Sequence, residues 1–189
     1  MTAEKDAIAT VAGLMALAAR TAPKGKGQDS IIIKVLTKPE IKKLVAAMNA
    51  YGRVHEPYKF FLRDAANVAA SDACLLIGAS GRDPAGISCG ACGYASCADF
   101  LKAVQKAKAK KSNLPYPGPN CAIKMADLGI AVGSAAKTAQ IHNADNRIMF
   151  SVGSIAISLG FMGKDCTVAY AIPLSATGKN IFFDRVWPK

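Results

Sequence analysis

The chain has 189 residues, 51% of them apolar and 20% charged, a balance that excludes intrinsic disorder and lets a core form without disulfide staples. Its longest apolar stretch, 7–19, has 13 residues, too few for a bilayer span of about 20, and its mixed-charge start at Glu4, Lys5 and Asp6 is unlike a secretory signal. Lys and Arg number 24 against 13 Asp and Glu, a formal charge of +11 that suits an anionic partner. A soluble cytoplasmic protein is the expectation.

Apolar residues Ile8, Val11, Ala12, Met15, Ala18 and Ala19 recur at helical spacing over 3–19, with Thr2 as N-cap and Pro23 and Gly25 as the stop. The β-branched run 30–36 reads as a strand. Thr37 and Glu40 have capping-box spacing, and Ile41, Leu44, Val45 and Met48 continue a helix of about three turns. Tyr58, Phe61, Leu62 and Ala65 mark a short helix, and 73–79 a buried strand. From 80 to 121 glycines and prolines crowd around cysteines, interrupted by a Lys-rich helix over 98–111 in which Phe100, Leu101 and Val104 face inward. Residues 122–141 form a helix with Ala122, Ala126, Gly129, Gly133 and Ala136 on one side, a seam that admits another backbone and points to a homodimer. A helix over 149–159, a strand over 167–172, a turn at 177–179 and a last short strand at 181–183 complete the chain. The class is α+β, an α/β sandwich of a small sheet flanked by helices. Residues 1–79 and 122–189 make the frame, and 80–121 is an irregular cysteine-rich insert.

Four of the six cysteines form one constellation. Cys89, Cys92 and Cys97 are spaced C-x2-C-x4-C, and Cys121 follows. Three thiolates in a glycine-rich loop can wrap one face of an iron–sulfur cluster, a fourth from a distant segment closes the cage, and neighbouring amides stabilise its charge. Tyr94 and the prolines around Tyr116 are placed to shield it. Structural zinc, disulfides and free thiols are the alternatives. The single C-x2-C pair and the lack of secretory features weigh against zinc and disulfides. Cys74 and Cys166, in strands, read as small core residues. His55 and His142 fall near helix ends, and no Ser-His-Asp pattern, phosphate loop or carboxylate pair is present.

The run 89–97 with Cys121 is similar to the four-cysteine [4Fe–4S] domain found beside corrinoid proteins and electron-transport complexes, although the gap to Cys121 is longer here. Over nearly the whole chain the sequence resembles a bacterial and archaeal family of proteins containing a ferredoxin domain. The runs that carry this likeness are 120–136, 145–149 and 172–185. The frame also resembles nitroreductases, in the loop, strand and helix around 18–44 and in the Ala/Gly-rich helix 122–141. That resemblance implies FMN between subunits with its phosphate on basic residues. The Arg-x-Ser-x-Arg run that opens many nitroreductases is absent, and Arg20, Lys24, Lys26 and Lys179 would replace it. The expected function is an iron–sulfur electron-transfer module on a dimeric nitroreductase-like frame. The alternatives are an FMN-dependent oxidoreductase with an auxiliary cluster and a zinc-stabilised, basic nucleic-acid-binding protein. An acidic electron carrier meeting Lys102, Lys106, Lys108, Lys110 and Lys111 is the expected partner. Nucleic acid is disfavoured, for want of aromatic or Arg-rich readout near the lysines.

Overall fold

A computed structural model describes residues 2–108, 114–116 and 118–183. In chain order the main elements are α1 (Ala3–Thr21), β1 (Ile31–Val35), α2 (Lys38–Val54), α3 (Phe60–Ala70), β2 (Ala73–Ala79), α4 (Cys97–Lys108), α5 (Ala122–Ile141), β3 (Asp145–Asn146), α6 (Phe150–Ser158) and β4 (Val168–Ser175). The strands pair in the order β1-β2-β4-β3, all antiparallel.

Every residue of β2 is buried, because both faces of the sheet are covered. Ala73, Leu75, Ile77 and Ala79 point toward α1 and α5, where Met15, Ala19, Leu128, Ala131 and Ala135 complete one core. Cys74 and Leu76 point the other way, into a second core with Leu44 and Met48 of α2, Phe61 and Ala65 of α3, and Val152 and Ala156 of α6. Strand alternation thus divides one apolar run between two helical layers.

Local chemistry sets the element ends. The capping box at α2 is complete: Thr37 N–H donates to the Glu40 carboxylate at 2.9 Å, and Glu40 N–H donates to the Thr37 hydroxyl at 3.4 Å. Helix α2 runs to Val54, beyond the three turns its apolar spacing suggested, because its last turns continue through Tyr51 to cap on His55. Thr2 occupies the N-cap position of α1 but makes no side-chain cap bond.

Two readings of the C-terminal part are corrected. Residues 181–183 form a turn, not a strand, since Asn180 gathers them locally: Phe182 N–H donates to Asn180 Oδ1 at 3.0 Å, and Phe183 N–H to Asn180 O. The outer edge of β4 is instead paired with β3, at residues read from sequence only as a break. In α4, Phe100 and Val104 are buried but Leu101 is exposed. Lys110 and Lys111 lie outside the described residues, as does Arg185 of the run 172–185.

Candidate metal centre

The segment after β2 leaves the sheet through Ser80 and Gly81 and makes its own small core of Ala85, Phe100, Val104 and Cys121, with Cys92, Tyr94 and Ile123 packed against it. Between Ala85 and α4 the chain turns on four residues in the left-handed region: Gly86 at φ +72°, Ser88 at +46°, Gly90 at +74° and Gly93 at +84°. Three are glycine, which adopts this conformation without strain. These turns bring Cys89, Cys92 and Cys97 to one cavity, and Cys121 lines it from the far side. The four cysteines singled out by spacing therefore share one site.

The cavity is narrow, about 10 Å³, or about the space of one water. Among the described residues no three His, Cys, Asp or Glu side chains converge to hold a metal ion. A polynuclear group is larger than this cavity, so one entering it must spread the loop. At Gly86, Gly90 and Gly93 nothing lies within 4 Å of where a Cβ would stand, leaving the loop room to do so.

The donor set and its surroundings fit an iron–sulfur cluster. Ser88 N–H donates to Cys97 Sγ at 3.4 Å and is the main cause that holds this thiol below its usual range; burial opposes it, and the Ser88 hydroxyl and the amides of Gly86 and Ile87 add to it. Successive amides on one sulfur form an anion-binding concavity. Cys97 opens α4, and Cys121 is the N-cap of the 20-residue α5, so both sulfurs sit at positive helix ends. Tyr94 lines the cavity and packs edge-on against Phe100, with centroids 5.8 Å apart.

Tyr116 does not shield the cavity. It packs on the α1–α5 core, and its single hydroxyl proton is shared between the carbonyls of Phe150 and Ala169, joining Tyr116 to α6 and β4. Burial pushes that phenol well above its usual range. Cys74 and Cys166 lie in the α2–α6 core, where burial raises their thiols to about 12 and about 11.

Cys121 is held by a relay with no motif of its own. Its N–H donates to Gly81 O at 2.7 Å, Gly81 N–H donates to Thr167 Oγ1 at 2.8 Å, and Thr167 donates to Asn120 Oδ1 at 2.7 Å. The sequence signal for it was only a glycine after a strand and an asparagine before the last cysteine.

The basic residues proposed for a flavin phosphate divide between two places. Arg20 pairs with Asp29 and donates to Ile31 O, and the largely buried Lys24 donates to Arg20 O and Ala22 O. Lys26 reaches Ala85 O at 3.4 Å, tying this loop to the cysteine segment. These three lie at the β2 end marked by Ala79, whose register partner is Ile31. Lys179 follows Ser175, at the opposite end beside Asp72 and Ala73. His55 caps α2 and stacks on Tyr51 at 4.2 Å, and His142 caps α5.

Comparison with known proteins matches the same segments. An Fe–S cluster family model matches residues 85–113, and the model described as "Uncharacterized protein containing a ferredoxin domain" matches 117–185. An uncharacterized protein of Archaeoglobus fulgidus is 42% identical over 182 residues, covering 96% of this chain and 94% of the relative. The chain belongs to this ferredoxin-domain family. Its fold is that of nitroreductases. A nitroreductase with bound FMN from Desulfitobacterium hafniense aligns at TM-score 0.59 and 13% identity, covering 95% of this chain and 92% of that one. A BluB-like flavoprotein from Clostridium difficile aligns at 0.58 and 12%, covering 95% and 84%. NfrA1 of Bacillus megaterium aligns at 0.54 and 10% over 96% of this chain, which spans only 62% of that structure. The family matches support an iron–sulfur cofactor on this frame. Among the described residues no helix is long and apolar enough to cross a membrane.

Proposed function

We propose that this protein is an electron-transfer module whose single [4Fe–4S] cluster is held by Cys89, Cys92, Cys97 and Cys121. The observation that carries this reading is that all four thiols line one cavity while the other two cysteines are buried elsewhere. Such a cluster supplies one-electron chemistry; the chain supplies thiolates, amide donors and two helix N-termini that stabilise negative charge. Anaerobic purification with iron, sulfide, zinc and flavin analysis tests it. Iron and acid-labile sulfide should appear in equal amounts, be lost in Cys121→Ser and survive in Cys74→Ser. Stoichiometric zinc without sulfide would overturn the assignment.

The working unit in this reading is a homodimer joined through α5. Ala126, Gly129 and Gly133 are exposed in the single chain, and the exposed Ile130 beside them adds apolar area. Sedimentation at micromolar concentration should give a dimer, which Gly133→Leu should weaken. An acidic electron carrier is the expected partner for the exposed Lys102, Lys106 and Lys108 of α4, since charge-steered encounters form and part quickly. Its reduction rate should fall with rising salt.

FMN between subunits is the second reading, motivated by the flavin-bound neighbour of the same fold. Arg20, Lys24 and Lys26 are engaged by Asp29 or by backbone carbonyls in the single chain, so a flavin phosphate would exchange those contacts for its own oxygens. The same flavin analysis decides it.

A further inference from the structure

A second cavity, of about 230 Å³, opens beside the cysteine segment. Its walls carry Ser80, Arg82, Asp83, Lys108, Lys164 and Asp165, and Thr167 forms part of its floor. No lining residue is apolar, and five of the seven are charged. Opposite charges gathered in one place normally pair. Here, among the described residues, none of the five takes part in an ion pair. Arg82 Nε is shielded from water and has no hydrogen-bond partner among the described residues. Arg82 thus lines the cavity with donor capacity that the described residues leave unused, since a guanidinium carries five N–H donors and no acceptor.

We propose that this cavity binds a small oxyanion-bearing molecule, held by Arg82 with Lys164 and Lys108. The guanidinium fork matches the two oxygens of a carboxylate or a phosphate, whereas the two ammonium groups add charge without fixed geometry. Asp83 and Asp165 disfavour a bare, highly charged anion and are placed to accept from a hydroxyl or ammonium elsewhere on the ligand. The volume is below the ~300–1,000 Å³ of sites for drug-sized ligands, which restricts the occupant to a molecule of a few carbons.

The place of the cavity gives it meaning. Thr167 on its floor is 5% exposed and accepts from Gly81 while donating to Asn120, the relay that holds Cys121. A ligand here sits against the groups that position the fourth thiol. The binding claim itself does not depend on a cluster being present.

Calorimetric titration of the full chain with glycerol 3-phosphate, and separately with malate, tests the proposal and distinguishes a phosphate from a carboxylate as the oxyanion. One of them should bind with a single site per chain. Arg82→Ala should weaken that binding at least tenfold, the change expected for loss of a charge-assisted hydrogen bond. Arg82→Lys should not restore it, and Lys164→Gln should weaken it several-fold. Lys59→Gln, on the distant pair with Glu56, should leave it unchanged. Iron and sulfide analysis of the same samples keeps failure of the cluster assignment separate from failure of this one. Should Arg82→Ala melt at a much lower temperature, the exposed Lys164 decides the matter. The proposal is overturned if neither anion binds at millimolar concentration, or if the folded variants bind as the wild type does.

Discussion

Gly153 is where the contact between α6 and β4 is tightest, and Gly153→Ala tests the packing directly. A Cβ built there overlaps the carbonyl of Ala169 and comes within 2.9 Å of Tyr170 N. These are backbone atoms of a strand paired to the central β2, with Ala169 opposite Gly78, so β4 can yield only by breaking that pairing. Helix α6 must therefore lift away, taking Val152, Ile155 and Ala156 out of the second core. Overpacking of this kind costs about 1–3 kcal/mol and more when only backbone can move. Replacing a helical glycine by alanine returns about 1 kcal/mol of propensity. A net loss of about 2 kcal/mol lowers the melting temperature by about 4–8 °C for a chain of this size. Thermal and urea denaturation of the two proteins would measure it. Propensity alone predicts the opposite sign, so an unchanged or raised melting temperature refutes the steric argument. Gly129→Ala is the counterpart, with nothing within 4 Å of its Cβ position. A free helix face would gain about 2–4 °C, whereas the proposed dimer, with a second copy over the seam, should lose stability, and a rise would count against it.

Ser151→Ala removes the 2.6 Å hydrogen bond to the buried Asp64 carboxylate and should cost about 1–3 kcal/mol by denaturant unfolding, with Arg63 left as the charge partner. Glu40 is held down to about 2 from an ordinary 4.5, chiefly by the hydrogen bond from Lys34 and then by Thr37 N–H. Because its folded value lies below its unfolded one, its contribution is complete above about pH 4.5 and disappears as pH falls through about 2. Glu40→Ala should thus be less stable by about 1 kcal/mol at neutral pH and indistinguishable from wild type near pH 2, as read by urea midpoints. Gly81→Ala places a Cβ 2.8 Å from Asn120 Cβ and Cγ, which displaces the residue before Cys121. Iron and sulfide per chain should fall while the far-ultraviolet dichroism stays that of the wild type.

The frame was legible because its signals are local. The capping box at Thr37 and Glu40, the β-branched run at 31–35 and the apolar stripe from Ile8 to Ala19 each specify one element whatever lies around it. The grouping of Cys89, Cys92 and Cys97 was equally local, since three thiols within nine residues cannot lie far apart. What escaped was long-range or depended on competition. Residues 145–146 pair with β4 because that edge was left open, and 181–183, though apolar, curl around Asn180 instead. Tyr116 sits beside a Cys121-proximal Pro-rich run, yet its hydroxyl finds partners 34 and 53 positions away. The Gly81–Thr167–Asn120 relay joins three segments whose spacing carries no pattern, and the two separate homes of the basic residues became visible only with the sheet register.

The cysteine centre is built asymmetrically. On one side Cys121 starts a long core helix and is tied by its own backbone to Gly81, just past the end of β2; on the other, Cys89 and Cys92 ride on a loop folded around glycines that ends at Cys97, the first residue of α4. Widening falls on residues 84–97, and so does the ordering cost of closing around a cluster, about 1–2 kcal/mol for each residue brought to a single conformation. In the proposed reading, filling and emptying the centre would change the order of that loop without unfolding the sheet behind it. Amide exchange across 84–97 would record the cofactor's presence, while exchange in α5 and β2 would stay blind to it.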